Sequence, residues 1–142
     1  VIQRFGSASQ AQTALGILRI VAGIIFIAHG YQKFFMMGIP GVTGFFDQLG
    51  IPLAGIMAIL IATLELVGGF ALLIGFFGRF VAIPLALDLA GAIFFTHARN
   101  GFFVPRGIEF VMILMVSAIA IAIAGPGRFS VDNAFAGKVD RR

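Results

Sequence analysis

A few ionisable side chains stand where this sequence offers them little water. Arg19, His29 and Lys33 interrupt or close one apolar stretch, residues 15–35 (LGILRIVAGIIFIAHGYQKFF), and Glu65, Asp88, His97 and Glu109 interrupt or border three more. At about 100° per residue, Arg19, Ala22, Gly23, Phe26, His29, Gly30 and Lys33 fall within roughly 120° of a helix surface. A charge placed in hydrocarbon costs several kcal/mol, so such a stripe must face protein or trapped water.

These residue types allow three kinds of chemistry. Bases and carboxylates inside a membrane can pair and fix helix register, or relay protons. Alternatively, His29, Lys33, His97 and Glu109 can line a pocket for a polar headgroup such as a quinone ring. His and Lys would then donate hydrogen bonds and Glu109 would accept a proton. Two histidines with Glu109 form a poor metal site, being on three helices without close spacing, and no metal is expected. Regular histidine ligands for haem and a glycine-rich phosphate loop are both missing. The chain has no cysteine, which excludes disulfides, thiolate nucleophiles and iron–sulfur clusters of its own.

Positioning these groups takes long apolar helices, and the composition supplies them. Of 142 residues, 60% are apolar and 11% charged, with a mean hydropathy of +1.07. Soluble domains carry roughly 25% charged residues, so an all-α membrane protein is expected. The net charge of +4 comes largely from bases flanking apolar runs, an orientation signal and not a nucleic-acid footprint.

Residues 1–13 read as a polar tail without the apolar core of a cleavable signal peptide. A single domain, residues 14–125, follows as an antiparallel four-helix transmembrane bundle. Its helices are expected at residues 14–35, 52–77, 79–96 and 108–124, with a tail at 126–142. Between the first two, residues 36–51 break at Pro40 and suggest one short amphipathic turn at the interface around Phe45 and Phe46. Ala54, Ala58 and Ala62 recur every four residues ahead of Gly68-Gly69, a stripe on which another backbone can approach closely. Pro84 is expected to kink the third helix. The Phe residues, seventeen in all, read mainly as lipid-facing and packing surface, since Trp is absent and Tyr31 is the one Tyr. Counting Lys and Arg outside the spans puts Arg4, Arg79, Arg128, Lys138, Arg141 and Arg142 on one side and Lys33, Arg99 and Arg106 on the other. The first side is then cytoplasmic and holds both termini.

Helical rise gives the depths. Arg19 lies about 8 Å from the cytoplasmic boundary, Asp88 about 14 Å and Glu65 about 18 Å. An inner layer, Arg19 paired with Asp88 or Glu65, is expected from these figures, with an outer layer of His29, Lys33, His97 and Glu109. The inner layer reads either as a structural ion pair or as a functional group. The outer layer reads either as interfacial anchors or as the headgroup pocket.

The same residues resemble the DoxX family of small membrane proteins. The resemblance lies in LRIVAGIIFIAHGYQKFF (18–35), LELVGGFALLIG (64–75), the spacing from His97 through NGFF (100–103) to Glu109, and GPGRFSVD (125–132). It implies a four-helix subunit associated with quinone-linked oxidoreductases or other redox enzymes. Its polar positions match Arg19, His29, Lys33, Glu65, His97 and Glu109, while Asp88 departs from the family's mostly apolar third helix. Residues and resemblance together lead to an accessory subunit of a larger redox or energy-converting complex in the bacterial cytoplasmic membrane, without its own redox centre. Its partners would be lipids and the complex, with no covalently bound cofactor. The alternative is a quinone-binding small subunit, and a carrier or proton path through Glu65 and Asp88 is a third reading.

Overall fold

The structure is a computed structural model that describes residues 6–139, and every described element is helical. Helix α1 covers Ala8–Tyr31 and passes into a π-helical turn, Gln32–Met37. The chain leaves helical geometry at Gly38, where φ is +72° and ψ 154°, and α2 follows at Gly38–Gln48. Helix α3 spans Ala54–Ile74, and α4 spans Gly78–Ala92 with Pro84 inside it. A second π turn, Ile93–His97, and a 3-10 turn, Ala98–Asn100, extend α4 into a loop. Helix α5 is Glu109–Ala124 and α6 is Val131–Val139.

The helix bounds differ from the sequence expectation at both ends of the first span. Residues 8–13 are helical and not tail, because Ser7 and Gln10 close a capping box. Gln10 N donates to Ser7 Oγ at 3.2 Å and Ser7 N donates to Gln10 Oε1 at 2.6 Å. That arrangement satisfies two of the donors that a helix start leaves free. Residues 36–51 hold a full helix and not one turn, since Val42 and Phe46 of α2 bury themselves on Ala54 and Ala58 of α3. The second span is shorter than expected because Gly75, at φ +72°, caps α3 in the left-handed conformation. The tail after Gly125 contains α6. Arg4, Arg141, Arg142 and the side chain of Lys138 lie outside what is described, so the orientation count rests there on sequence alone.

Packing explains why small residues recur. Gly16, Gly23 and Gly30 repeat every two turns on α1 and all are buried. A Cβ on Gly23 would sit 2.8 Å from Leu73 Cα, one on Gly69 would sit 2.7 Å from Ile27 N, and one on Gly30 would strike Leu66 N. As these contacts climb α1 they descend α3, so the two helices run antiparallel with backbones nearly touching. Ala58 and Ala62 are fully buried on the same face of α3. Elsewhere α4 packs against α3 and α5, and α5 also touches α1. Phe26, Leu72, Leu85 and Ile121 fill the interior, each at most 1% exposed.

Around the outside the order is reversed. Ile17, Val21, Ile24, Leu60, Ile83, Leu87, Ile113 and Val116 are all at least half exposed, a surface suited to lipid tails. Three helical stretches are long and apolar enough to cross a bilayer: residues 8–48, which bend at Gly38, Ala54–Ile74 and Gly78–Asn100. Helix α5 is apolar but has 16 residues, about 24 Å of rise and short of the usual span.

Candidate functional site

The polar groups of the interior form two separate constellations, divided differently from the expected layers. The first is built on Arg19, which is completely buried. Its Nη1 donates to the carbonyls of Leu72 (3.2 Å) and Leu73 (3.0 Å), and its Nη2 to those of Arg128 (3.3 Å) and Phe129 (2.9 Å). The expected pairing of Arg19 with Asp88 or Glu65 is therefore corrected: the guanidinium caps the C-terminal end of α3. The last carbonyls of a helix lack internal partners and carry its negative partial charge, so a cation is favoured there.

The segment after α5 completes this clasp. Arg128 N donates to Gln12 O at 2.9 Å, and Asp132 N donates to Gly75 O at 3.0 Å. Asp132 in turn accepts from Phe77 N (2.9 Å) and Gly78 N (2.8 Å), capping the start of α4. Arg79 does for α5 what Arg19 does for α3, donating to the carbonyls of Ala122 and Ile123 at 3.1 and 3.0 Å. Each cation sits at a helix C-terminus and the carboxylate at an N-terminus, as the helix dipoles favour. Sequence reading missed Arg79 and Asp132. Their signal was present in GFFGR and GPGRFSVD, where glycines mark helix ends and a charge follows within a few residues.

The second constellation lines a cavity of about 450 Å³ among α2, α3 and α4. Lys33 Nζ donates to Glu65 Oε2 at 2.6 Å, with the two side chains 17% and 8% exposed. Asp88 lines the same cavity, close enough to Glu65 for the two carboxyl groups to share a hydrogen bond. Its Oδ2 is buried and no N–H or hydroxyl of the described residues donates to it. His97 lies on the rim, its Nδ1 2.8 Å from Arg106 O. A carbonyl only accepts, so Nδ1 carries the proton there and neutral imidazole keeps Nε2 as an acceptor. Phe45, Phe46, Ile61, Leu64 and Phe95 supply apolar walls.

The expected outer layer is therefore divided. Lys33 and His97 line the cavity beside Glu65 and Asp88, whereas His29 and Glu109 do not. The His29 ring faces Phe110 of α5, with centroids 6.4 Å apart. Glu109 Oε1 accepts from Val104 N at 2.6 Å and so fastens the loop ahead of α5. The cavity residues missed from sequence include Phe45 and Phe46, read as interfacial, and Thr96. Both π turns border the cavity, one carrying Lys33 and the other Phe95, Thr96 and His97. Such turns are frequent at functional sites. Among the described residues, no group of three His, Asp or Glu side chains is placed to hold a metal ion.

The Lys33–Glu65 pair is expected to be tightly coupled, since either partner alone would leave a charge in an apolar cavity. In a double-mutant cycle of Lys33→Met and Glu65→Gln, thermal unfolding should give a coupling of about 1–3 kcal/mol, the double variant being more stable than either single one. Additive losses would show that the pair does not act as a unit.

Comparison with known proteins places these features. The family model described as DoxX matches residues 14–98. The chain is 36% identical over 82% of its length to the Bacillus subtilis protein named "Putative oxidoreductase CatD", covering 82% of that protein. It is 32% identical to an uncharacterized membrane protein of Mycobacterium tuberculosis, over 82% of this chain and 77% of the other. Identity to the inner membrane protein YqjF of Escherichia coli is also 32%, over 82% and 88%. No solved structure matches.

Proposed function

This chain belongs to the DoxX family of integral membrane proteins, and from that premise we propose that it is a quinone-binding accessory subunit of a larger redox complex in the bacterial cytoplasmic membrane. Helices α1, α3, α4 and α5 then form an antiparallel four-helix transmembrane bundle. In this arrangement the clasp end, with Arg79 and Arg128, faces the cytoplasm together with both termini, and the cavity opens toward the opposite face. A partner protein carries the redox centre.

One observation carries this reading: an apolar cavity of about 450 Å³ into which Lys33, Glu65, Asp88 and His97 converge. Ligand sites are mostly apolar spaces of about 300–1,000 Å³ with a few convergent polar groups. The residues suit a quinone. Phe45, Phe46 and Phe95 offer aromatic walls for a flat ring. Lys33 keeps N–H donors beyond the one it gives to Glu65, and Thr96 adds a hydroxyl to the lining. A bound quinone would supply two-electron, two-proton carrier chemistry, while the chain binds and orients its polar head. The name of the CatD relative, an oxidoreductase, supports a redox setting.

The test is purification in mild detergent, with quinone measured per protein after solvent extraction and co-eluting proteins identified. Near-stoichiometric quinone is expected, falling at least about tenfold in Lys33→Met. Quinone at the background of empty membranes, indifferent to that substitution, would refute the ligand. Elution as a lone active monomer would refute the accessory role.

A further inference from the structure

The charges of the cavity do not balance as they stand. Two carboxyl groups, Glu65 of α3 and Asp88 of α4, meet there, close enough to share a hydrogen bond. Lys33 is the one ammonium or guanidinium in the lining, and it engages Glu65 Oε2 at 2.6 Å. Asp88 Oδ2 is shut off from solvent and receives no hydrogen bond. The side-chain donors of the lining are the Lys33 ammonium, the Thr96 hydroxyl and the His97 ring, and none of them reaches that oxygen. What Asp88 meets is a second carboxyl, and an ionised carboxylate only accepts.

We propose that Glu65 and Asp88 hold one proton between them and, with Lys33, form a net-neutral proton-binding site within the bilayer. The proton turns one carboxyl into a donor, so two acceptors in contact become a hydrogen bond. Without it, two like charges would touch in an apolar cavity, where little screens their repulsion. With it, the cluster is one ammonium, one carboxylate and one carboxylic acid, and its charge is zero. A net charge left in such surroundings is strongly disfavoured.

The neighbouring titratable groups do not remove the need for this proton. His29 of α1 is near enough to Glu65 and Lys33 to feel both. A charge on its ring would balance the count but would leave two carboxylates in contact. Helices α2 and α5 put no titratable side chain into the lining, and His97 on the rim is engaged with the Arg106 carbonyl. The site stands on Lys33, Glu65 and Asp88 and not on the quinone reading. Whatever enters the cavity meets a proton already in place.

Infrared spectroscopy of the full chain reads this proton, because the C=O stretch of a carboxylic acid is separate from the carboxylate and amide bands. The protein is held in dodecyl maltoside, a detergent without carbonyl groups. At neutral pH the wild type should show a signal of about one acid per chain, identified by its shift after equilibration in heavy water. Glu65→Gln and Asp88→Asn each leave a single carboxylate with Lys33, so both should lose the signal. Lys33→Met removes the cation and should raise the signal to about two acids per chain. Absence of the signal from the wild type overturns the proposal. Its survival in either acid variant does the same, placing the proton on one carboxyl alone or elsewhere. The two acid variants decide the matter even where Lys33→Met fails to fold. A folded Lys33→Met variant that stays at one acid refutes the balancing role of Lys33. Bound quinone in a protein without the acid signal removes the proton site and leaves the function above standing.

Discussion

Arg19→Met is expected to lower stability by about 3–5 kcal/mol, a fall of more than about 10 °C in thermal unfolding in detergent. Methionine approximates the length of the side chain but donates nothing, and four backbone carbonyls lose their partner at once. Those of Leu72 and Leu73 end α3, and those of Arg128 and Phe129 belong to the segment that closes over it. Arg19→Lys should recover only part of the loss, because a single ammonium cannot reach two pairs of acceptors as a planar fork does. A Met variant that melts within a few degrees of wild type would show that the clasp contributes little. Gly75 belongs to the same device: a Cβ there would strike both Arg19 Nη1 and Ser130 Cβ, at a backbone φ of +72°.

Gly30→Val should be as damaging for a different reason. Any Cβ at this position meets the backbone of Leu66, which has no rotamer by which to yield. Helix α1 must then move off α3, loosening the contacts of Gly23 and Gly69 with it, at a cost of at least about 3 kcal/mol. Displacement would also separate Lys33, about one turn beyond Gly30, from Glu65, which is next to Leu66. Gly44→Ala is the matched control, since nothing lies within 4 Å of a Cβ there. It should be neutral or slightly stabilising, alanine being the better helix former. Equal melting temperatures for the two variants would mean that close α1–α3 contact is not what holds the bundle.

How far the sequence led depended on what kind of partner each residue has. The stripe from Arg19 to Lys33 was readable because helical angle follows from spacing alone, and five of its seven members are buried while His29 and Lys33 are half-buried. Lys33 was also a natural candidate to meet an acid. Arg19 was not assignable by the same logic, since its partners are carbonyls, which every residue carries and no sequence marks. Matching depths by helical rise assumed straight spans between estimated ends. It failed where α1 runs into a π turn and where Gly75 ends α3 early, and so it drew Arg19 toward carboxylates that belong with Lys33. The capping box at Ser7 and Gln10 was visible in the letters, and weighing it would have started the first helix six residues sooner. The cavity had no signature, because Phe45, Phe46 and Phe95 look like any lipid-facing phenylalanine until α2 folds back onto α3.

The clasp around Arg19 sets an order of events during synthesis. Residue 19 enters the bilayer early, whereas residues 128 and 129, which supply half its acceptors, are translated more than a hundred codons later. Until then the guanidinium has its two α3 carbonyls at best, and α1 and α3 can pair without locking. Ribosomes that stall after α5 would leave in the membrane a bundle with every span inserted and its keystone half held, a species that quality-control proteases should recognise.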